Sequence, residues 1–462
     1  MLSHRCPLFA AALLLATPLL AQSVSPRGET TLNQFFSEAL SRGQAFENLR
    51  TLVTTSPGRL AGSKSLERAV VWGEQTLTAL KLDRVYLQDV MVPHWERGAK
   101  ESVTLLPPTG TKGEGVSLAA VALGGSVAGE ITAEVVEVKT LDELDKLGLA
   151  KIEGKIVFFN RAMPPEYASP GRAYGEAGDA RRAGPSAAAK YGAIGALTRS
   201  LTHAHDDVPH TGGTVYTPGL PRIPAAGLSV LASERLSTAL ASEPRMRIAI
   251  KINSQWFDPA PSHNVIGEIR GSEFPDEIIV VGGHLDSWDI APGAHDDGTG
   301  IVQSIEVLRL FRTLGLKPRH TLRCVLFTNE ENGLAGATAY AANAKKNFEK
   351  HIFAVETDSG GFAPRGFSIG STQGSAHERA ARWLPLFEPY GINSFSKGGG
   401  GADVGPLMVQ GCAVANLVPD SQRYFDIHHT TEDSLDKVNP RELHLGAAAL
   451  ASLIWLVDTQ GL

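Results

Sequence analysis

Histidines and carboxylates recur in five short stretches of the C-terminal half. His284 and Asp286 stand in GGHLDS, Asp296 in GAHDDGTG, Glu330 and Glu331 in FTNEENGLAG, Asp358 in ETDSGG, and His428 and His429 in YFDIHHTTEDS. One acid of this kind has an ordinary use, because Asp and Glu form turns and cap helices. Asp296 and Asp297 could cap the helix pattern after them, and Glu331 could sit in a first turn, where the macrodipole favours acids. Five such stretches need a shared reason. Crowded carboxylates repel unless they are protonated or neutralised, and a cation is the direct neutraliser. Two histidines with carboxylates and no cysteine suit zinc, with manganese and cobalt open to the same donors. Five candidate donors with one acid in the middle exceed the roughly four of a single tetrahedral zinc, which points to two metals sharing a carboxylate and a water about 3.5–4 Å apart.

The elements that must hold these residues are legible as apolar runs. EIIVVGGHLD, TLRCVLFTNEE, HIFAVETD and CAVANLVPD are short and nearly continuous, and helical patterns such as TGIVQSIEVLRLFRTLG and AGATAYAANAKKN separate them. Strands buried on both faces with intervening helices give a mostly parallel α/β sheet. Such sheets bind ligands at the carboxyl ends of their strands, and that is where the acids and histidines stand. Neighbours on a strand face opposite ways. Glu330 and Glu331 can therefore serve one site only where the strand has ended and the chain turns into a helix.

Upstream, residues 31–84 carry two stretches with three- and four-residue apolar spacing, LNQFFSEALSRGQAFENLRTLV and SLERAVVWGEQTLTALKL, which predict two amphipathic helices. Residues 117–243 change texture: short strands alternate with Gly/Pro/Ala segments, and grouped acids and histidines are few. This segment reads as an inserted domain whose ends lie close together. The flanking residues 22–116 and 244–462 then form one discontinuous domain. Residues 1–21 combine an arginine, an apolar stretch from Leu8 to Leu20 and a small residue, Ala21, the pattern of a cleaved export signal. It predicts a periplasmic or secreted protein with no membrane anchor after cleavage. The run GAAALASLIWLV (446–457) is too short to span a bilayer and reads as a packed helix.

Of 462 residues, 43% are hydrophobic and 20% charged, and the formal charge is −6, so nothing in the composition calls for nucleic acid or an anionic membrane. Beyond the signal only Cys324 and Cys412 remain, both in apolar runs, as buried thiols or one disulfide; they exclude a cysteine-based zinc site. GFSIG (366–370) matches the nucleophile-elbow pattern around Ser368, but it lacks the strand before and helix after that the elbow requires.

In order and approximate spacing, GGHLDS, GAHDDGTG, TNEENGLAG, ETDSGG and HHTTEDSLD resemble the zinc exopeptidases of peptidase family M28. The resemblance covers nearly the whole chain after the signal. It implies an aminopeptidase-like α/β/α sandwich with a mixed, mostly parallel sheet. The inserted segment is similar to a β-rich protease-associated (PA) domain, notably in GKIVFFN and IPAAGLS. Together with GGGGADVGPL and YFDIHHT, this insertion looks like the carboxypeptidase Q subgroup. What the resemblance implies is two Zn2+ per subunit, with His284 and Asp358 on one metal, Asp296 bridging, and Glu331 and His429 on the other. It makes Glu330 the general base and Asp286 the carboxylate that orients a ligating imidazole. Peptide substrates and a homodimer follow from the same subgroup.

The chain departs from many relatives in two places. His428 stands where a tyrosine often precedes the last ligand, and it is read either as an oxyanion donor or as a packed histidine. Ala402-Asp403-Val404 replaces a Ser-Asp-His, keeping Asp403 but no pocket histidine. The glycines before it, Gly400 and Gly401, could present amides to a carboxylate or form a plain turn, and Asp403 could face a free amine. The expected activity is hydrolysis of dipeptides or short peptides. A strict aminopeptidase on longer peptides and a non-catalytic transferrin-receptor-like protein are the alternatives; the full ligand set and Glu330 argue against the second.

Overall fold

The computed structural model describes residues 26–372 and 374–462. The export signal expected over residues 1–21 lies outside them.

The four apolar runs form four adjacent parallel strands, in the order His320–Phe327, Phe274–His284, Lys350–Glu356, Ala413–Pro419. The sheet extends on both sides: Gln255–Ile269 and then Arg84–Glu96 pair antiparallel at one edge, and Pro364–Gly370 pairs antiparallel at the other, followed by Ser394–Lys397 parallel to it. Side chains alternate across the pleat, and two cores result. Ile279, Val281, Cys324, Leu326, Phe353 and Val355 pack with helices Pro26–Arg42, Thr299–Thr313 and Pro440–Gln460. Ile278, Val280, Val325, Phe327 and Ala354 pack on the opposite face with helix Ala335–Lys346. The result is the α/β/α sandwich with a mixed sheet.

Three helices, not two, precede the first long strand: Pro26–Arg42, Ala45–Thr55 and Lys64–Ala79. The first predicted helix breaks at Gly43, a poor helix former, and the Gln44 amide turns to the buried Glu306 carboxylate. Ser63 caps the third helix through the Leu66 amide, and Asn439 with Pro440 starts the last one. That last helix lies in the sandwich core. Cys324 and Cys412 are buried free thiols, and Ser368 lies within a strand with its hydroxyl donating to the Gly399 carbonyl.

A second eight-stranded sheet is built between the halves of the first. It takes strands beyond residues 117–243, because Ser102–Leu105 and Arg247–Ile252 pair within it. Ser102 faces Lys251 in that pairing, so the chain enters and leaves this sheet side by side. Its middle is parallel, running through Gly129–Val138, Ile156–Phe159, Gly195–Arg199 and Ala225–Leu228. The helices Pro170–Ala177 and Asp179–Arg182 project from it.

Within the strand His320–Phe327, Arg323 bonds Glu268 at 2.8 Å, the Tyr340 hydroxyl at 2.9 Å and Glu349 at 2.7 Å. Burial favours the neutral form of Glu349, but the Arg323 hydrogen bond and charge outweigh it and hold its pKa below the ordinary 4.5. A depressed carboxylate contributes stability above its unfolded pKa and loses it as pH falls through the folded one. Glu349→Gln should therefore cost about 1–3 kcal/mol at pH 7 and lose less stability than the unmodified chain on acidification below 4.5. Urea unfolding at both pH values measures the difference.

Candidate metal centre

The carboxyl ends of the parallel strands converge as their order requires. His284 is the last residue of its strand, and its Nε2 lies 3.2 Å from Asp296 Oδ1 and 3.7 Å from Asp358 Oδ1. His429 Nε2 lies 3.2 Å from the other Asp296 oxygen, Oδ2, and 3.1 Å from Glu331 Oε2. Two donor groups thus meet on one carboxylate, an oxygen to each. All five ligands expected from the sequence come together here.

Each donor is held by the chain around it. Asp296 receives its direction from Asp433, whose carboxylate accepts the His295 and Asp296 amides at 2.7 and 3.1 Å. Glu331 Oε1 accepts the Trp288 amide at 3.1 Å, leaving Oε2 toward His429. Asp297, beside the centre, is occupied by the amides of His284 and Gly300 at 3.1 and 3.0 Å. His295 turns away: its Nδ1 accepts the Gly361 amide and its ring stacks on Phe362, where burial lowers its pKa to about 4.

Asp286 does more than the expected imidazole contact. His284 Nδ1 lies 3.0 Å from the Asp286 backbone carbonyl and 3.7 Å from its carboxylate. The carboxylate also accepts the amides of Glu330 and Glu331 at 2.9 and 3.3 Å. Just before that pair, Asn329 adopts φ +64°, a left-handed conformation that Asn tolerates better than most side chains. Its side chain accepts the Ala335 amide at 3.1 Å. The turn lets both glutamates reach one cavity, which a continuing strand would forbid.

The charges show what kind of group the centre fits. Burial, then the charges of Asp358, Glu331 and Asp286, push Glu330 well above the carboxylate range, with His284 opposing. Burial and Asp296 raise Glu331 to about 7. Burial would also raise Asp296, but His284 and His429 outweigh it and hold it well below its usual value. His284 Nε2 and Asp296 Oδ2 are buried without a hydrogen-bond partner. Buried nitrogen and oxygen atoms left without a partner at one centre, with no sulfur among the candidate ligands, fit zinc.

His428 competes for a place at the same carboxylate. Its Nε2 is 3.5 Å from Asp296 Oδ2, farther than His429, and the two rings stack at 3.5 Å. Burial, with His429 and Arg181 nearby, pushes its pKa well down, so the ring is neutral.

The centre opens into a cavity of about 510 Å³. Asp296, Glu330, Glu331, Asp358, His428 and His429 line it from the main domain, and Tyr174, Arg181 and Thr214 from the second sheet. Asp403, Gly400 and Gly401, expected at the substrate, do not line it. The Asp403 and Val404 amides donate to Glu356 Oε2 at 2.8 and 2.9 Å. Gly401, at φ +98°, lies so close that a Cβ would sit 2.6 Å from the Glu356 carboxyl carbon. The glycine loop therefore wraps a buried acid beneath the site.

Sequence reasoning missed Asp433 and Arg59. Asp433 lies in the quoted HHTTEDS stretch, where the second acid after the two threonines was the available signal. Arg59, fully buried in the loop between the second and third helices, donates to the carbonyls of Leu285, Pro292 and Gly293 at 2.6, 2.6 and 2.8 Å. It ties together the two ends of the single loop that joins His284 to Asp296, and no local pattern announces it. Arg59→Met should lower unfolding free energy by about 3 kcal/mol, the order expected when a charged donor to buried carbonyls is lost; guanidinium denaturation measures it.

The sequence pattern of peptidase family M28 matches residues 264–454. Carboxypeptidase Q of Bos taurus is 36% identical over 420 residues, covering 90% of this chain and 86% of its own. The chain belongs to peptidase family M28. This M28 chain is also 35% identical to carboxypeptidase Q of Homo sapiens, again over 90% of this chain and 86% of the relative. A solved M28 peptidase precursor from Shewanella amazonensis superimposes with TM-score 0.89 at 33% identity, covering 94% of this chain and 98% of that one. The zinc aminopeptidase of Bacillus subtilis shares the fold, with TM-score 0.64 at 20% identity over 89% of this chain and 94% of its own. M28 membership makes the chain a metallo-exopeptidase.

Proposed function

We propose that the chain is an exported exopeptidase that holds two zinc ions and hydrolyses dipeptides or short peptides. The observation that carries this reading is Asp296, one oxygen toward His284 and Asp358, the other toward His429 and Glu331, in a cavity that Glu330 also lines. His284, Asp296 and Asp358 would hold one ion, and Asp296, Glu331 and His429 the other. When bound, the pair lowers the pKa of water and polarises a peptide carbonyl.

The residues of the chain do the rest. Glu330 takes a proton from the attacking water and returns it to the leaving amine. Asp286 fixes the turn that carries Glu330 by accepting its amide. His428, a neutral imidazole at the cavity wall, donates to the developing oxyanion. The cavity is bounded by both sheets, which suits a short peptide. Residues 117–243 form the core of a PA-like domain that supplies the second wall.

Export rests on the charged, apolar and small-residue order of the first 21 residues. The homodimer rests on the likeness to the carboxypeptidase Q subgroup, and light scattering on the purified chain tests it. The function itself is tested on a panel of dipeptides with free, amidated and acetylated ends, with and without added zinc. Zinc-dependent release of amino acids from short peptides is the expected result; absence of turnover with zinc bound contradicts it.

A further inference from the structure

The wall contributed by the second sheet holds a cation without a counter-charge. Arg181, in the short helix Asp179–Arg182, is 7% exposed and lines the cavity with Tyr174, Asp296 and His428. Its Nη2 donates to the Tyr174 hydroxyl at 2.7 Å and its Nη1 to the Thr211 carbonyl at 3.3 Å. Its Nε is buried with no hydrogen-bond partner, and among the described residues no carboxylate pairs with it.

The guanidinium is also held in place. Gly212, at φ +135°, packs against it so closely that a Cβ would lie 2.4 Å from Cζ. Tyr174 offers its ring face with the centroid 5.2 Å away. Tyr174 in turn stacks on Phe425 at 4.6 Å and meets the His428 ring edge-on at 5.1 Å. A buried cation is stable when an anion or several acceptors complete it. A planar fork with open donors is shaped for a carboxylate. Arg423 lies over the Phe362 ring at 5.7 Å and does not line the cavity.

We propose that Arg181, with the Tyr174 hydroxyl, binds the free α-carboxylate of the peptide substrate and thereby restricts the enzyme to short peptides. The proposal rests on the peptidase reading above and names its substrate class. Successive Cα atoms are about 3.8 Å apart, so a carboxylate one residue beyond the scissile carbonyl stays inside the same cavity. The cation that selects the substrate comes from the second sheet, whereas the groups that hydrolyse it come from the first.

The test compares a dipeptide bearing a free C-terminus with its C-terminal amide, using the zinc-loaded full chain. In Arg181→Gln the ratio of kcat/KM, free over amidated, should fall about 10- to 100-fold, the worth of a charged hydrogen bond. The change should appear mainly in KM, and Arg181→Lys should restore part of it. An unchanged ratio, or an equal loss on both substrates, overturns the proposal. Should Arg181→Gln not fold, Tyr174→Phe removes only the hydroxyl and should lower the same ratio about 3- to 10-fold; no change there overturns it as well. Calorimetric binding of the free dipeptide to Glu330→Gln, with and without Arg181→Gln, reads the carboxylate contact without turnover. Binding that depends on Arg181 in a chain that hydrolyses nothing would keep the carboxylate site and overturn the peptidase reading instead.

Discussion

Glu330→Gln should bind as much zinc as the unmodified chain and hydrolyse a dipeptide about 10²- to 10⁴-fold more slowly, the range for loss of a positioned acid–base group. Glutamine matches glutamate in size and leaves intact the amide that donates to Asp286 at 2.9 Å. What it cannot do is accept a proton. Its neighbour supplies the contrast. Glu331 already divides its oxygens between the Trp288 amide and His429, so Glu331→Gln should lose zinc as well as rate. Metal analysis and steady-state kinetics on the two variants separate the roles. Equal metal retention in both, or full activity in Glu330→Gln, contradicts the division of labour between adjacent residues.

Asp296→Asn is expected to be the more damaging change. Its two oxygens, 3.2 Å from His284 and 3.2 Å from His429, join the two donor groups. An amide offers one acceptor and turns a donor toward the other histidine. The zinc capacity should fall below two, and activity should drop by more than the roughly 10- to 100-fold typical of losing a supporting contact. Asp433→Asn provides that milder case. Its carboxylate holds the His295 and Asp296 amides and touches no proposed ligand side chain, so a loss of about 10- to 100-fold is expected there. Inductively coupled plasma analysis beside dipeptide kinetics measures both. Two zinc ions retained in Asp296→Asn would contradict a shared carboxylate.

The parts of this structure that were legible in the sequence are those governed by short-range pattern. Continuous apolar runs marked the four parallel strands, and the acids and histidines at their ends marked the centre. Contacts across the fold left no such trace. The resemblance placed the Asp286 carboxylate at His284, from whose ring it lies 3.7 Å, but nothing local announced that the turn at Asn329 also brings the Glu330 and Glu331 amides to it. Gly400, Gly401 and Asp403 looked like a substrate loop because glycine-rich loops often are. The buried Glu356 beneath them, raised to about 8 by burial and then by Asp358, is what their amides and close approach serve. Arg59 acts on carbonyls more than 200 residues away in sequence, and Arg181 becomes visible only when the second sheet is folded against the first. Local periodicity carries no information about either.

The most direct test of the two-zinc centre is a titration of zinc into the metal-stripped full chain, following bound metal and dipeptide hydrolysis together. Saturation at two zinc ions per chain, with hydrolysis appearing as the donor groups around Asp296 fill, is the result expected. Saturation at one ion with full activity, or hydrolysis that persists without metal, would contradict it.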